Sequence, residues 1–311
     1  MSKPTLSIVV PAYHEAENLP VLHQGLVAVL DEANITWEMI VVDDHSGDET
    51  FAAIQNLSSN DARVRGYRLA RNFGSHMAIA CGLEQANGDC AVVMAADLQD
   101  PPEVIPELLK KWQADDQVVW AVRAERQGRG RGAQGFSGLY YWIMRRVVGL
   151  KEMPSTGADF FLIDRRVINS LAQLNENNVS IFALITWMGF RQSEVSYDKQ
   201  ARLHGSSGWS LEKKLKLVVD SVTAFTYLPI RLMSYVGFGV ALLGFIYAII
   251  VVVNALLGRP PEGWSSIMVV VLVVGGIQMV MMGVLGEYLW RALDEARRRP
   301  RYIVEAETQR E

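Results

Sequence analysis

The sequence predicts an α/β domain with a mostly parallel sheet, followed by amphipathic interfacial helices and two transmembrane helices. Three observations lead there. Short apolar runs alternate with stretches of helical period through the first 122 residues, the pattern of βαβ units. Several of those runs stop at carboxylates. Two later stretches, 236–257 and 267–286, run about 22 and about 20 residues without a charge, each long enough to cross a bilayer core.

The first predicted strand, 6–10, is closed by Pro11-Ala12-Tyr13-His14-Glu15-Ala16-Glu17-Asn18. Leu19, Leu22, Leu26 and Leu30 then recur at helical spacing. A second strand, 39–42, runs into Asp43-Asp44-His45-Ser46-Gly47-Asp48-Glu49-Thr50. A third, 64–69, leads to Arg71-Asn72-Phe73-Gly74 and a helix over 75–86. The fourth, 91–96, stops at Asp97-Leu98-Gln99-Asp100-Pro101-Pro102, with a helix over 102–112 and a fifth strand over 118–122 behind it. In an open parallel sheet, ligands collect at the carboxyl ends of the strands. Glu15, Asp43, Asp44 and Asp97 are therefore expected on one edge. Hard oxygen donors there suit Mg²⁺ or Mn²⁺ held jointly with a substrate phosphate. Taken alone, the segment from Asp97 reads equally as an Asp- and Pro-rich turn.

The second half differs in charge. Residues 1–122 carry a net −11 and residues 123–311 a net +7, within an overall −4. A basic half flanking apolar helices suits anionic headgroups, and no DNA- or RNA-binding motif accompanies it. Residues 127–135 form a Gly- and Arg-rich loop. Over 136–148, Phe136, Leu139, Tyr140, Ile143, Met144 and Val147 share one helical face, as in an interfacial helix or one packed on a core. Asp159 precedes a short strand over 160–163, and 202–209 is a Gly/Ser-rich loop. An amphipathic juxtamembrane helix is expected over 210–230, with Ser210 as its cap.

Lys213, Lys214, Lys216 and Arg231 precede the first span, and Arg291, Arg297, Arg298, Arg299 and Arg301 follow the second. The positive-inside rule puts both ends in the cytosol. The expected layout is a cytosolic domain over 1–209, the juxtamembrane helix, a two-helix anchor over 231–290, and a basic cytosolic tail over 291–311. Cys81 and Cys90, the only cysteines, lie in no metal or disulfide pattern. A dehydrogenase would carry GxGxxG directly after the first strand, where this chain has Pro11-Ala12-Tyr13-His14, and GxxxxGK[ST], GxSxG and HExxH are absent, which disfavours the common dehydrogenase, P-loop, serine-hydrolase and zinc-protease readings.

The segments ending at Glu15, Thr50, Gly74 and Pro102 resemble the signature series of family 2 glycosyltransferases, which have the GT-A (Rossmann-like) fold. Gly157-Ala158-Asp159-Phe160, Arg202-Leu203-His204-Gly205-Ser206-Ser207, Leu228-Pro229-Ile230-Arg231-Leu232 and Gly286-Glu287-Tyr288-Leu289 are similar to the polyisoprenyl-phosphate glycosyltransferase group. The resemblance implies transfer of a sugar, glucose from a UDP donor, to a polyprenyl phosphate in a bacterial inner membrane. It further implies that Pro11, Tyr13, Glu15, Asp43 and Asp44 hold the nucleotide. Asp97 and Gln99 would bind a Mg²⁺ or Mn²⁺, Asp159 would lie at the acceptor, and Arg202 with Ser207 would face phosphate. A homo-oligomer, a tetramer, is implied as well. Ala95 stands where the family's Asp-x-Asp has its first Asp, and His14 where Asn is commoner. A non-catalytic nucleotide-binding scaffold is the alternative that Ala95 leaves open. A processive polysaccharide synthase is disfavoured, since Gln-x-x-Arg-Trp is absent.

Overall fold

Leu6, Ile8, Val10 and Ala12 on one face of the first strand, and Val9 on the other, are all buried. A strand covered on both faces belongs in the middle of a sheet. A computed structural model describes residues 5–123, 142, 144–146, 148–150, 152–154, 159–174, 176, 179–199, 222–257 and 263–308. It has β1 (Leu6–Ala12), α1 (Asn18–Glu32), β2 (Trp37–Asp43), α2 (Thr50–Asn60), β3 (Val64–Leu69), α3 (Ser75–Gln85) and β4 (Cys90–Val93). A 3₁₀ turn then leads into α4 (Ile105–Gln113), followed by β5 (Val118–Arg123), β6 (Phe161–Asp164), α5 (Arg165–Ala172), α6 (Ile181–Trp187) and β7 (Gln192–Tyr197). Two long helices, α7 (Leu228–Leu256) and α8 (Trp264–Ala296), and a last strand, β8 (Val304–Glu307), complete it.

The sheet runs β7-β5-β6-β4-β1-β2-β3-β8. Strands β1 to β4 pair in parallel, β5 pairs in parallel with β7, and β6 runs antiparallel to both β4 and β5. The antiparallel β6 matters for function. Because Phe161 lies opposite Val93 and Asp164 opposite Cys90, the entry to β6 sits at the carboxyl end of β4. Arg123 and Tyr197, which end β5 and β7 in register with each other, reach the same side.

Helix α1 buries Leu19, Leu22, Leu26 and Leu30 against one face of the sheet. Helix α3 covers the other, and comes so close that a Cβ on Gly82 would lie 2.4 Å from Val9 Cγ1. At the opposite, amino edge, Gly88 is held by backbone instead: a Cβ there would meet Ser7 N at 2.7 Å and Cys90 O at 2.8 Å. Backbone cannot step aside as a side chain can, so Gly88→Ala is expected to cost about 2–3 kcal/mol, read as a lower thermal midpoint of the detergent-solubilised protein. A shift of under about 1 °C would show that this edge yields.

Sequence expectation and structure part at several places. The fourth strand is shorter than 91–96: Met94 N–H still bonds to Val9 O (3.1 Å), but β6 reaches no further than Val93. The tail over 291–311 is not a simple basic extension, since α8 continues to Ala296 and β8 joins the sheet beside β3. Most of the 136–148 segment and residues 210–221 lie outside the described residues. Of the former, Trp142 is exposed and Met144 buried. Both cysteines are buried, and burial pushes the Cys81 thiol up to about 12.

The chain divides into two compact units, Met1–Ser221 with Pro300–Glu311, and Val222–Arg299. In the second unit, 228–254 and 267–296 are long and apolar enough to cross a membrane. There Met281 packs against Gly237 (3.3 Å to its Cβ position), while Met279 and Met282 are exposed.

Candidate active site

Both edges of the sheet carry buried polar groups. At the amino edge, Glu38 is buried and saturated. Its carboxylate accepts from Ser7 Oγ (2.7 Å), Asn87 N–H (2.6 Å) and Arg65 Nη2 (2.7 Å). Burial alone would raise this carboxyl, but those bonds hold it below its ordinary range. Asp164 there caps α5 through Arg166 N–H (2.8 Å) and accepts from Trp112 Nε1 (2.8 Å). This is scaffolding. At the carboxyl edge Asp43 Oδ2 and Asp100 Oδ2 are buried without a hydrogen-bond partner, as are Arg65 Nε and Ser193 Oγ nearer the amino edge. A buried acceptor left unpaired costs roughly 1–3 kcal/mol, and such atoms collect where a ligand completes them.

Strain marks the same edge. His14 (φ 59°), His45 (φ 60°) and Leu98 (φ 59°) are left-handed, and they follow β1, β2 and β4 in turn. Non-glycine residues adopt this region rarely, and strained positions cluster at functional sites. The first of them is tied down on three sides. The His14 N–H donates to Ser46 Oγ (3.0 Å), its Nε2 accepts from Gly47 N–H (3.1 Å), and its ring stacks on the exposed Tyr13. His14 thus ties the β1 turn to the β2 turn, a task that its imidazole performs with an acceptor and a flat face. Glu15 N–H donates to Thr50 Oγ1 (2.9 Å), while its carboxylate accepts from Asn18 Nδ2 (2.6 Å). Pro11 lies half-buried in β1, opposite Val42.

The neighbouring aspartates are not equivalent. Asp44 accepts from Phe73 N–H (2.7 Å) and Gly74 N–H (2.9 Å), one on each oxygen, and so clamps the 71–74 turn. Burial raises its carboxyl above the usual value, with those two amides opposing. Asp43 uses Oδ1 to hold Ser46 N–H (2.9 Å), while Oδ2 has Arg68 Nη1 at 3.7 Å.

Asp97 is buried in the turn after β4, where Oδ1 accepts from Gln99 N–H (3.2 Å). Behind it Asp100 accepts a short bond from Tyr197 Oη (2.5 Å), and Lys199 Nζ stands 3.4 Å away. Burial raises the Asp100 carboxyl, Lys199 opposes the rise, and Asp159 and Asp97 are close enough to add to it. Lys199 also reaches Asp159 Oδ2 (3.5 Å), which Arg123 Nη2 approaches at 3.4 Å. A mostly buried lysine therefore joins Asp100 and Asp159, with Asp97 close to Asp100. Arg123, Tyr197 and Lys199 escaped the sequence reading. For Tyr197 and Lys199 the signal was the alternation Val195, Tyr197, Lys199, which points one face of β7 and its extension inward. Arg202 and Ser207 lie outside the described residues.

Among the described residues no three His, Cys, Asp or Glu side chains converge on a metal-sized centre. Ala95 accounts for one missing donor. Asp97 and Gln99 offer hard oxygens, a set that fits a Mg²⁺-type cation retained mainly by the oxygens of a bound diphosphate.

Residues 7–172 match the model described as Glycosyl transferase family 2, and residues 228–291 the model described as GtrB C-terminal hairpin. A glycosyltransferase of Bacillus subtilis (strain 168), YkcC, is 37% identical over 96% of this chain and 93% of its own. The bactoprenol glucosyl transferase of Shigella phage SfV is 33% identical over 98% of this chain and 99% of its own. Among solved structures, glucosyl-3-phosphoglycerate synthase from Mycobacterium tuberculosis, in complex with Mn²⁺ and uridine-diphosphate-glucose, superposes with a TM-score of 0.52. It shares 17% identity over 70% of this chain and 76% of that one, a likeness of fold.

Proposed function

The chain belongs to glycosyl transferase family 2, and from that membership we propose that it transfers glucose from UDP-glucose to the phosphate of a membrane polyprenyl phosphate. The observation that carries the proposal is the pairing, on one sheet edge, of an unpartnered buried acceptor on Asp43 with the Asp97 turn. Asp43 Oδ2 would accept from an N–H or O–H of the nucleoside. Asp97 and Gln99 would hold a divalent cation on the diphosphate, where it supplies charge neutralisation for the leaving group. Asp159, between Lys199 and Arg123, orients the acceptor.

The reaction needs little proton transfer. A phosphate monoester has a second pKa of about 6, so the acceptor is already an anionic nucleophile at neutral pH. Its oxygen attacks the anomeric carbon from the side opposite the diphosphate. The new C–O bond forms as the bond to the nucleotide breaks, with inversion, and UDP leaves. Glycosidases differ because they cleave a neutral ether with water and need an acid and a base. The two apolar helices, with Lys and Arg before the first and Arg after the second, support a membrane-anchored enzyme with its catalytic unit and both termini in the cytosol.

Membranes containing the protein, given labelled UDP-glucose and undecaprenyl phosphate, are expected to move label into the organic phase. A chelator should cut that transfer at least tenfold, and GDP-mannose should substitute poorly. Ala95 supports a second reading, a nucleotide-binding scaffold without turnover. UDP binding with no extractable label would favour it.

A further inference from the structure

We propose that the strand after the membrane hairpin is a working part of the donor site, and that Glu305 is a positioning residue for the Asp43 turn. The inference rests on the nucleotide-binding reading of that edge. Four observations support it, beginning with how firmly the segment is docked. Ala70 N–H donates to Ile303 O (2.9 Å) and Thr308 N–H to Gly66 O (2.9 Å). Thr308 Oγ1 accepts from Gly66 N–H (2.9 Å) and bonds Ser58 Oγ (3.1 Å), while Arg301 and Tyr302 both grip Glu84. Gly66 admits this contact because a Cβ there would meet Thr308 Cγ2 at 2.9 Å.

Second, the ladder slips where Glu305 sits. Arg68 lies opposite Ala306 but Leu69 opposite Val304, so Glu305 is the extra residue of a bulge. Bulges re-aim side chains. Third, the re-aimed carboxylate meets Arg68 Nε (3.3 Å) and His45 Nδ1 (3.5 Å). Fourth, those two partners hold the β2 turn. Arg68 Nη2 donates to Ser46 O (3.1 Å), and its Nη1 stops 3.7 Å from Asp43 Oδ2. His45 is the left-handed residue of that turn, with Nδ1 also 3.0 Å from Leu69 O.

The bland explanation is an edge strand that covers β3, with a half-exposed ion pair contributing little. What separates the two is where the guanidinium goes when Glu305 is removed. Among the described residues, Asp43 is then the one carboxylate left within reach of Arg68. Closing on Asp43 Oδ2 occupies the acceptor that the donor would use. Glu305 holds Arg68 off. The effect should therefore fall on donor affinity and spare the chemical step.

The test uses full-length protein in detergent, with UDP affinity measured by calorimetry and glucosyl transfer followed in parallel. Glu305→Ala is expected to raise the UDP Kd and the UDP-glucose KM five- to tenfold. The kcat, the undecaprenyl phosphate KM and the thermal midpoint should stay unchanged. Glu305→Gln, which keeps an acceptor toward Arg68, should recover most of the affinity. In the Arg68→Ala background Glu305→Ala should add nothing. Glu307→Ala, on the same strand, should bind UDP like wild type. Unchanged UDP affinity in Glu305→Ala overturns the proposal, as does an equal loss in Glu307→Ala or a joint fall in thermal midpoint. Wild-type protein that fails to bind UDP at all would instead remove the donor reading beneath it.

Discussion

Asp97→Ala is expected to lower kcat about 10³-fold, roughly 4 kcal/mol of transition-state stabilisation, while UDP binding weakens less than tenfold. The reasoning is local. Asp97 is the carboxylate that ends the apolar run from Cys90, and Ala95 leaves no second acidic donor two residues before it. Asp97 and Gln99 would hold the divalent cation, and this variant would remove the charged member of that pair. A nucleoside held at Asp43, two strands away, would keep its contacts. Asp97→Asn should behave similarly, since it preserves shape and removes charge. A turnover within tenfold of wild type in either variant would displace Asp97 from the centre of the chemistry.

Lys199→Met should be the next most damaging change, with kcat down about 10²-fold and a stability loss of about 3 kcal/mol. Lys199 is the cation between Asp100, whose side chain is wholly buried, and Asp159. Removing it leaves a buried carboxylate facing two others, with Tyr197 its remaining partner in hydrogen-bond reach. The 97–100 turn and Asp159 then lose their common tether. Lys199→Arg keeps the charge and should restore turnover to within tenfold. If Lys199→Met loses stability yet keeps kcat, the cluster is structural and Asp159 is oriented by Arg123 instead.

Much of this edge was legible because apolar runs and carboxylates are local signals. β1, β2, β3 and β5, and the placement of Glu15, Asp43, Asp44 and Asp97, follow from the pattern alone. Lys199 was harder. Gln192–Tyr197 is mostly polar with one buried face, and its neighbour β5 lies some seventy residues earlier, so nothing nearby announces the pairing. Asp159 reached the site only because β6 runs antiparallel to β4, a property of strand order that no short window contains. β8 is four residues long, half of them acidic and largely exposed, which in isolation is the composition of a solvated tail. The division of labour between Asp43 and Asp44 was also hidden, because it depends on amides from the 73–74 backbone.

The docking of β8 on β3 has a bearing on biogenesis. Residues 304–307 leave the ribosome after both apolar helices, whereas β3 is complete more than two hundred residues earlier. Until then β3 presents an open row of backbone donors and acceptors, the kind of edge on which nascent chains cross-pair. Closure of the sheet thus waits for the two apolar helices to be synthesised, and a fragment truncated ahead of residue 300 would carry that sticky margin permanently.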